Sequence, residues 1–355
     1  MILRTLFTTE VGMTWSAWSV TYLFMAGLVI AASWLATASF FGNRSFERVR
    51  VTAGAVILAS VVVAPLSLLG DLFQPERAWH FYMQALPESW MWIGACLLPF
   101  FIAFNLLFGY LLVRPQRRLE GEGLWVQVGN ALRFGDWEDR GWLAPVAVAA
   151  SLTSLSIVVY SGFEIGSVSA RPFWHTGFLL YLFLFTALSS GLGLVLVLEH
   201  AFAGAEVRAE GFVRALFLIS IVCTLGIVVF WLLFGGASSE TFMEMVGASR
   251  HWLVRSIELL VLLAVGVLGV LVAGRSRCAV IVSGLAMACF AYLFRWLILM
   301  DGQLVPKFGV SVAVYDVQWN ADGYLGVLTA LLLWMAVVVA VSEFNRLGMD
   351  GRTEE

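Results

Sequence analysis

Three short stretches of this chain gather side chains that can exchange protons within otherwise apolar surroundings. The densest is Gly70-Asp71-Leu72-Phe73-Gln74-Pro75-Glu76-Arg77-Ala78-Trp79-His80-Phe81-Tyr82, which places an acid, an arginine and a histidine within ten residues. A second holds Glu164, Arg171 and His175, and a third holds Arg295, Asp301, Gln303 and Lys307. A histidine or a partly desolvated carboxylate can act as a base near neutral pH, and a guanidinium can hold a carboxylate ionised or hydrogen-bond a ring oxygen. Such groups at a membrane boundary cost free energy unless paired or wet, which makes each stretch a candidate site. Arg295 lies inside an apolar run, where a central charge facing lipid costs roughly 2.5–3.5 kcal/mol on insertion scales. It must therefore face protein, with Asp71, Glu164 or Asp301 as its expected partner. Structural ion pairs that lock helix ends together are the alternative for all three stretches. Locking alone, however, would distribute pairs over both sides of the membrane.

The elements that position these residues follow from composition. With 61% hydrophobic and 13% charged residues over 355 positions, and a mean hydropathy of +0.89, the chain is not a soluble domain. Its apolar residues fall into runs long enough to cross a hydrocarbon core as helices, the one open-chain form that pairs every backbone group internally. Nine spans are expected, at 18–42, 49–69, 91–113, 142–162, 173–198, 212–234, 252–273, 279–300 and 324–342. The fold class is an all-α polytopic membrane protein forming a single membrane domain over 1–355. The stretches 71–80 and 164–175 echo one another (an acid, then Arg and Pro, then an aromatic-His pair), which suggests two four-helix bundles plus one extra helix.

Charge orients the chain. Fourteen arginines (Arg44, Arg48, Arg50, Arg114, Arg117, Arg118, Arg133, Arg140, Arg208, Arg214, Arg275, Arg277, Arg346 and Arg352) fall on one side, against seven basic residues (Arg4, Arg77, Arg171, Arg250, Arg255, Arg295 and Lys307) on the other. The positive side is cytoplasmic, so the N-terminus is outside, the C-terminus inside, and all three polar stretches are on the outer face. Outer tryptophans, among them Trp15, Trp18, Trp79, Trp174, Trp252, Trp296 and Trp319, read as an interfacial belt. Leu124, Val128 and Leu132 mark a short helix on the inner surface. Gly191/Gly193 and Gly266/Gly269 mark close helix packing, and Pro65, Pro99 and Pro145 mark kinks. The first seventeen residues lack a signal-peptide pattern, so the first span is expected to stay. The net charge of −3 argues against a nucleic-acid partner. Four dispersed cysteines, expected to be buried, give no metal or cluster spacing.

A lipid-soluble quinol is a substrate that acids, a histidine and arginines at the lipid boundary could handle. Its oxidation releases two electrons and two protons, and Asp71 and His80 are the expected bases, with Arg77 holding the carboxylate or a ring oxygen. A haem is the redox alternative and needs axial histidines on different helices at matching depth; His80, His175 and His251 lie at outer boundaries, and His200 is alone near the inner side. With no metal ligands of its own, the chain would pass its electrons to a partner on the outer face. A small-molecule or ion transporter is the alternative outside redox chemistry, but the polar residues collect at one boundary rather than at the midplane.

Motifs along nearly the whole chain resemble the NrfD/PsrC family of polytopic quinol-interacting membrane proteins. They are Trp15-x-x-Trp18-x-x-x-Tyr22-x-Phe24; Ala64-Pro65-Leu66 with Asp71-Leu72, Arg77 and Trp79-His80-Phe81-Tyr82; Ser89-Trp90-Met91-Trp92; Tyr160-x-Gly162-x-Glu164 with Ala170-Arg171-Pro172-x-Trp174; Arg295-Trp296; Val305-Pro306-Lys307-Phe308; and Asp322-Gly323-Tyr324-Leu325. The resemblance implies oxidation of menaquinol or ubiquinol near the outer face of a bacterial or archaeal cytoplasmic membrane. It also implies transfer to a four-cluster ferredoxin-like iron–sulfur subunit and then to a molybdopterin catalytic subunit, with no haem or cluster in this chain. Asp71 and His80 would be the bases. Arg77, Trp79, Tyr82, Glu164, Arg171, Arg295, Asp301 and Gln303 would bind quinol, and Lys307 would add polar wall. Some relatives carry a histidine in the first span where this chain offers Tyr22. The loop 301–323, with Tyr315, Asp316, Trp319 and Asn320, is expected to touch the partner or to be a solvated loop. The acceptor (tetrathionate, polysulfide, thiosulfate or arsenate) and the direction of electron flow stay open at this level.

Overall fold

Helices make up nearly all of the computed structural model, which describes residues 15–40, 47–83, 87–114, 123–132, 140–202, 210–272, 276–305 and 317–350. In order they are α1 (Ala17–Ser39), α2 (Glu47–Gly70), a 3-10 turn (Pro75–Arg77), α3 (His80–Met83), α4 (Trp90–Val113), α5 (Leu124–Leu132) and α6 (Arg140–Gly166). There follow α7 (Phe178–Phe202), α8 (Glu210–Phe234), α9 (Ala237–Ala248), α10 (Arg250–Val272), α11 (Arg277–Trp296) and α12 (Tyr324–Asp350). The last turn of α11 runs on as a π-helical turn, Leu297–Asp301. Among the described residues, nine helices are long and apolar enough to cross a membrane: α1, α2, α4, α6, α7, α8, α10, α11 with its π turn, and α12. The all-α polytopic expectation holds.

Packing divides the helices into two groups. Helices α1, α2, α4 and α6 pack in a ring, as do α7, α8, α10 and α11, and α12 lies against α2. The seam between the rings is built by α7 against α1 and α6, and by α11 against α1. Helix α1 is therefore surrounded, and its span is buried almost throughout. Close approach is possible because glycines stand where helices cross. Gly191 lies on Ala31, Gly193 on Gly284, Gly266 on the Met287 sulfur and Gly269 on Ser283, in agreement with the packing role read from sequence. The peripheral helices α8, α10 and α12 expose apolar side chains such as Ile219, Leu260 and Leu332, as spans bordered by lipid must.

Four features differ from the sequence expectation. Helix α9 occupies what reads in the sequence as a bare connection between the sixth and seventh spans. The fifth span begins at Phe178, not at 173, because the preceding turn is folded back and held by Arg171. Trp174, Trp252 and Trp296 are buried core residues and do not belong to an interfacial belt. The cysteines are not buried: Cys96 and Cys223 are partly exposed, and Cys278 and Cys289 are exposed. A short helix, α5, does form over the residues expected to lie on the inner surface, with Leu124 exposed. Pro65, Pro99 and Pro145 all sit inside helices. Lys307, Tyr315 and Asp316 lie outside the described residues.

Candidate functional site

Asp71, directly after α2, reaches across to the start of α1. Its Oδ1 accepts from the Ser16 amide at 2.8 Å and the Ser16 hydroxyl at 2.6 Å, and its Oδ2 accepts from the Ser19 hydroxyl at 2.5 Å. Ser16 is the N-cap of α1, and its hydroxyl also accepts from Trp18 N–H at 3.3 Å. The Asp71 carboxylate thus ties the end of one span to the beginning of another. It is not paired with Arg77, which is exposed. His80 packs edge-on against Trp79 with ring centroids 3.9 Å apart, and Trp79 and Tyr82 are half-exposed. Partial burial, with a smaller contribution from the Cys96 thiol, raises the Tyr82 phenol above its ordinary pKa.

Arg171 binds carbonyls instead of an acid. Its Nη1 donates to the oxygens of Gly302 at 3.2 Å, Gln303 at 2.7 Å and Val305 at 3.3 Å, and the guanidinium lies 4.9 Å from the Trp174 ring centroid. Burial pulls its pKa below the usual arginine value. Trp174 donates from Nε1 to Ile298 O at 2.7 Å and stacks on Trp15 at 5.3 Å. Gln303 closes the ring of contacts, its amide pairing with both backbone groups of Trp15 at 3.0 and 3.1 Å. The three polar stretches therefore do meet, but through the Trp15–Ser16 segment, as a continuous brace across the two helical groups. His175, exposed, hydrogen-bonds Gly166 O through Nδ1 at 3.1 Å.

Asp301, at the end of the π turn, is buried and clasped by α10. His251 Nε2 lies 3.0 Å from its Oδ1, and Arg255 Nε 3.3 Å from its Oδ2. Arg255 also pairs with Glu258 at 2.8 Å. His251, Arg255 and Glu258 are not among the residues expected at a site, although their i, i+4, i+7 spacing puts them on one helix face.

Arg295 has no carboxylate partner among the described residues, which corrects the expectation of Asp71, Glu164 or Asp301. Only 1% exposed, it donates from Nε to Leu23 O (3.2 Å), from Nη1 to Ala291 O (3.0 Å) and Thr186 Oγ1 (3.2 Å), and from Nη2 to Phe183 O (3.2 Å). Helix carbonyls retain a free lone pair, so a buried guanidinium can be satisfied without an acid.

Glu164 belongs to a different group. It lies one turn beyond Tyr160 on α6, and α6 packs against α1, the helix that carries Tyr22. Tyr22 and Tyr160 are buried, and the Tyr160 ring and hydroxyl fill the space over Gly94 of α4 that a side chain would occupy. Beside this group, Trp90 and Phe163 stack at 5.5 Å. Two phenols and a carboxylate converge where α1, α4 and α6 meet, below the brace. Each can hydrogen-bond a hydroxylated ring, and the carboxylate can take its proton. Tyr160 could be read from sequence only as a motif residue; its i, i+4 relation to Glu164 was the available signal. Towards the other ends of α4 and α6, Leu107, Leu111, Trp142 and Val146 line an apolar groove of about 330 Å³, well removed from these groups. Among the described residues, no three His, Cys, Asp or Glu side chains gather as metal ligands would.

The fold and these clusters define a multi-pass membrane protein whose Trp15, Asp71, Arg171 and Asp301 end is braced by hydrogen-bonded polar groups. Residues 6–307 match the family described as "Polysulphide reductase, NrfD", and the chain belongs to the NrfD family. It is 27% identical to a subunit of tetrathionate reductase from Salmonella typhimurium, over 93% of this chain and 92% of the relative. It is 24% identical to a subunit of selenate reductase from Mesobacillus selenatarsenatis, over 94% of this chain and 87% of that protein.

Proposed function

We propose that this chain is the quinol-oxidising membrane anchor of a respiratory molybdopterin oxidoreductase in the cytoplasmic membrane of a bacterium or archaeon. The observation that carries this reading is the placement of Tyr160 and Glu164 one turn apart on α6, with the Tyr160 ring over Gly94 of α4 and the buried Tyr22 on the adjoining α1, beneath the braced end of the spans. Fourteen basic residues against seven support an outer position for that end, with the N-terminus outside and the C-terminus inside.

Menaquinol or ubiquinol binds with its ring hydroxyls at this group. Glu164 takes one proton, and the phenols of Tyr160 and Tyr22 hold the ring oxygens. The second proton leaves past His80 and Arg77, where Trp79 and Tyr82 border the outer end of α4. Quinol becomes quinone, losing two electrons and two protons. The electrons pass to a four-cluster ferredoxin-like protein on the outer face and on to a molybdopterin catalytic subunit. Asp71, Arg171, Gln303 and Asp301 hold the wall in place, since their polar atoms are committed to other protein groups. The names of the two relatives, which specify tetrathionate and selenate, support an oxyanion as terminal acceptor.

The test is Glu164→Gln in the complex purified from membranes. Quinol-driven turnover falls by about 100-fold, the lower end of what a positioned proton acceptor contributes, while turnover driven by a dye that reduces the partner directly is unchanged. Undiminished quinol turnover would overturn the reading.

A further inference from the structure

The sequence places Arg295 in the wall of a binding site, but its guanidinium is sealed from any ligand, only 1% exposed and enclosed by α1, α7 and α11. What it touches on α1 is specific. It donates to the carbonyl of Leu23, the residue that follows Tyr22. One turn earlier on α11, Tyr292 hydrogen-bonds the hydroxyl of Thr21, the residue that precedes Tyr22, at 3.1 Å. The Tyr292 ring also meets Phe24 edge-on at 5.3 Å. Helix α11 therefore grips α1 on both sides of Tyr22, a buried phenol on the helix that packs against α6, which carries Tyr160 and Glu164.

The grip needs a gap in α1, and Gly27 supplies it. A Cβ at that position would stand 2.8 Å from Arg295 Nη2 and 3.0 Å from the Ala187 side chain. Gly27 is also the residue whose amide an α-helix pairs with the Leu23 carbonyl. The guanidinium thus sits over the very peptide it bonds to, and Thr186 and Phe183 of α7 hold its far side.

We infer that Arg295 is a positioning residue for quinol oxidation, one that acts through Tyr22 by clamping the backbone of α1. This rests on the function proposed above. The choice of acceptors has a physical consequence. An ion pair between Arg295 and Glu164 would weaken whenever the carboxylate took up a proton, whereas backbone carbonyls do not titrate. The clamp holds Tyr22 steady while its neighbours change charge.

The experiment uses the complex purified from membranes, carrying Gly27→Ala, Arg295→Lys or Arg295→Met, each with Tyr22 intact and with Tyr22→Phe. A shift of Tyr22 by a fraction of an ångström raises the KM for quinol about tenfold in Gly27→Ala and Arg295→Met, with dye-driven turnover unchanged. Arg295→Lys, which keeps a donor for part of the carbonyl set, lies between. In the Tyr22→Phe background the same changes add nothing, because the group they position has lost its hydroxyl. A wild-type KM in Gly27→Ala overturns the inference, as do losses that multiply with Tyr22→Phe. Gly27→Ala adds one methyl group, so it carries the test even where Arg295→Met does not assemble. Wild-type quinol turnover in Glu164→Gln would instead remove the underlying function, and the two failures are distinct.

Discussion

Gln303 and Trp15 lie 288 residues apart and are joined by both ends of one amide: Nε2 donates to Trp15 O at 3.1 Å, and Oε1 accepts from Trp15 N–H at 3.0 Å. The glutamine thus behaves like a strand partner for the segment that leads into α1. Gln303 is 2% exposed, so water cannot replace either bond. Gln303→Leu therefore costs about 2 kcal/mol, roughly 1 for each bond lost, and lowers the melting temperature of the purified protein. Gln303→Glu retains the acceptor but places a charge beside Trp15 O, and it melts below Gln303→Leu. An unchanged melting temperature in both variants would show that the brace carries no stability.

Asp71 allows a direct choice between base and tether. Its two oxygens accept three hydrogen bonds from Ser16 and Ser19. If it acts as a tether, removing the two serine hydroxyls, which leaves the Ser16 amide as the one remaining donor, has most of the effect of replacing the acceptor. Ser16→Ala with Ser19→Ala then lowers stability and quinol turnover in parallel with Asp71→Ala, by about 2 kcal/mol in stability. If Asp71 is a base that takes the quinol proton, Asp71→Asn abolishes turnover while the serine pair leaves it near wild type. Steady-state kinetics and thermal melts on the same four preparations separate the two.

Spans were legible in the sequence because a hydrocarbon core imposes a length on them, and the division into two groups of four plus one was hinted at by the echo between 71–80 and 164–175. The partners of the charged residues were not legible. Arg171 and Arg295 satisfy themselves on backbone carbonyls, which every helix end and every helix face carries, so no residue type marks the acceptor in advance. Charge alone suggested acids as partners. Asp301 did find one cation, Arg255, but from a helix 46 residues earlier in the chain, and no local spacing connects them. Asp71 was legible as an important acid but not as the tether of α1, because Ser16-x-x-Ser19 looks the same whether its hydroxyls meet solvent or a carboxylate.

The clasp around Asp301 is asymmetric, and the asymmetry sets the order of its variants. The Asp301 side chain is 3% exposed and that of Arg255 17%, while the outer member of the chain, Glu258, is 45% exposed. Arg255→Met leaves a buried carboxylate facing only His251 and costs about 3 kcal/mol, the lower end of what breaking a buried pair costs. Glu258→Gln removes a half-exposed partner and costs under about 1 kcal/mol. Asp301→Asn combined with Arg255→Met removes both charges and recovers part of the loss. Denaturant or thermal unfolding of the three variants checks the order, and a Glu258→Gln penalty equal to that of Arg255→Met would contradict it.

Gly94 gives the most direct access to the proposed site, because the residue itself does no chemistry. The Tyr160 ring and hydroxyl occupy the volume into which a Cβ at position 94 would project, closer than real Cβ contacts allow. The α4 backbone at this point cannot retreat easily, since α4 is packed against both α2 and α6. Gly94→Ala therefore pushes the Tyr160 side chain off its position beside Glu164 while leaving every other polar group of the cluster intact. The expected result is a loss in quinol turnover of about tenfold or more, since small displacements of positioned groups cost that much. The melting temperature should change little, because alanine suits a helix better than glycine by roughly 1 kcal/mol and offsets part of the strain. Tyr160→Phe should show a loss of similar size, and the double variant no further loss. Wild-type turnover in Gly94→Ala, with Tyr160 shown by structure determination to have moved, would mean that the phenol takes no part in quinol oxidation.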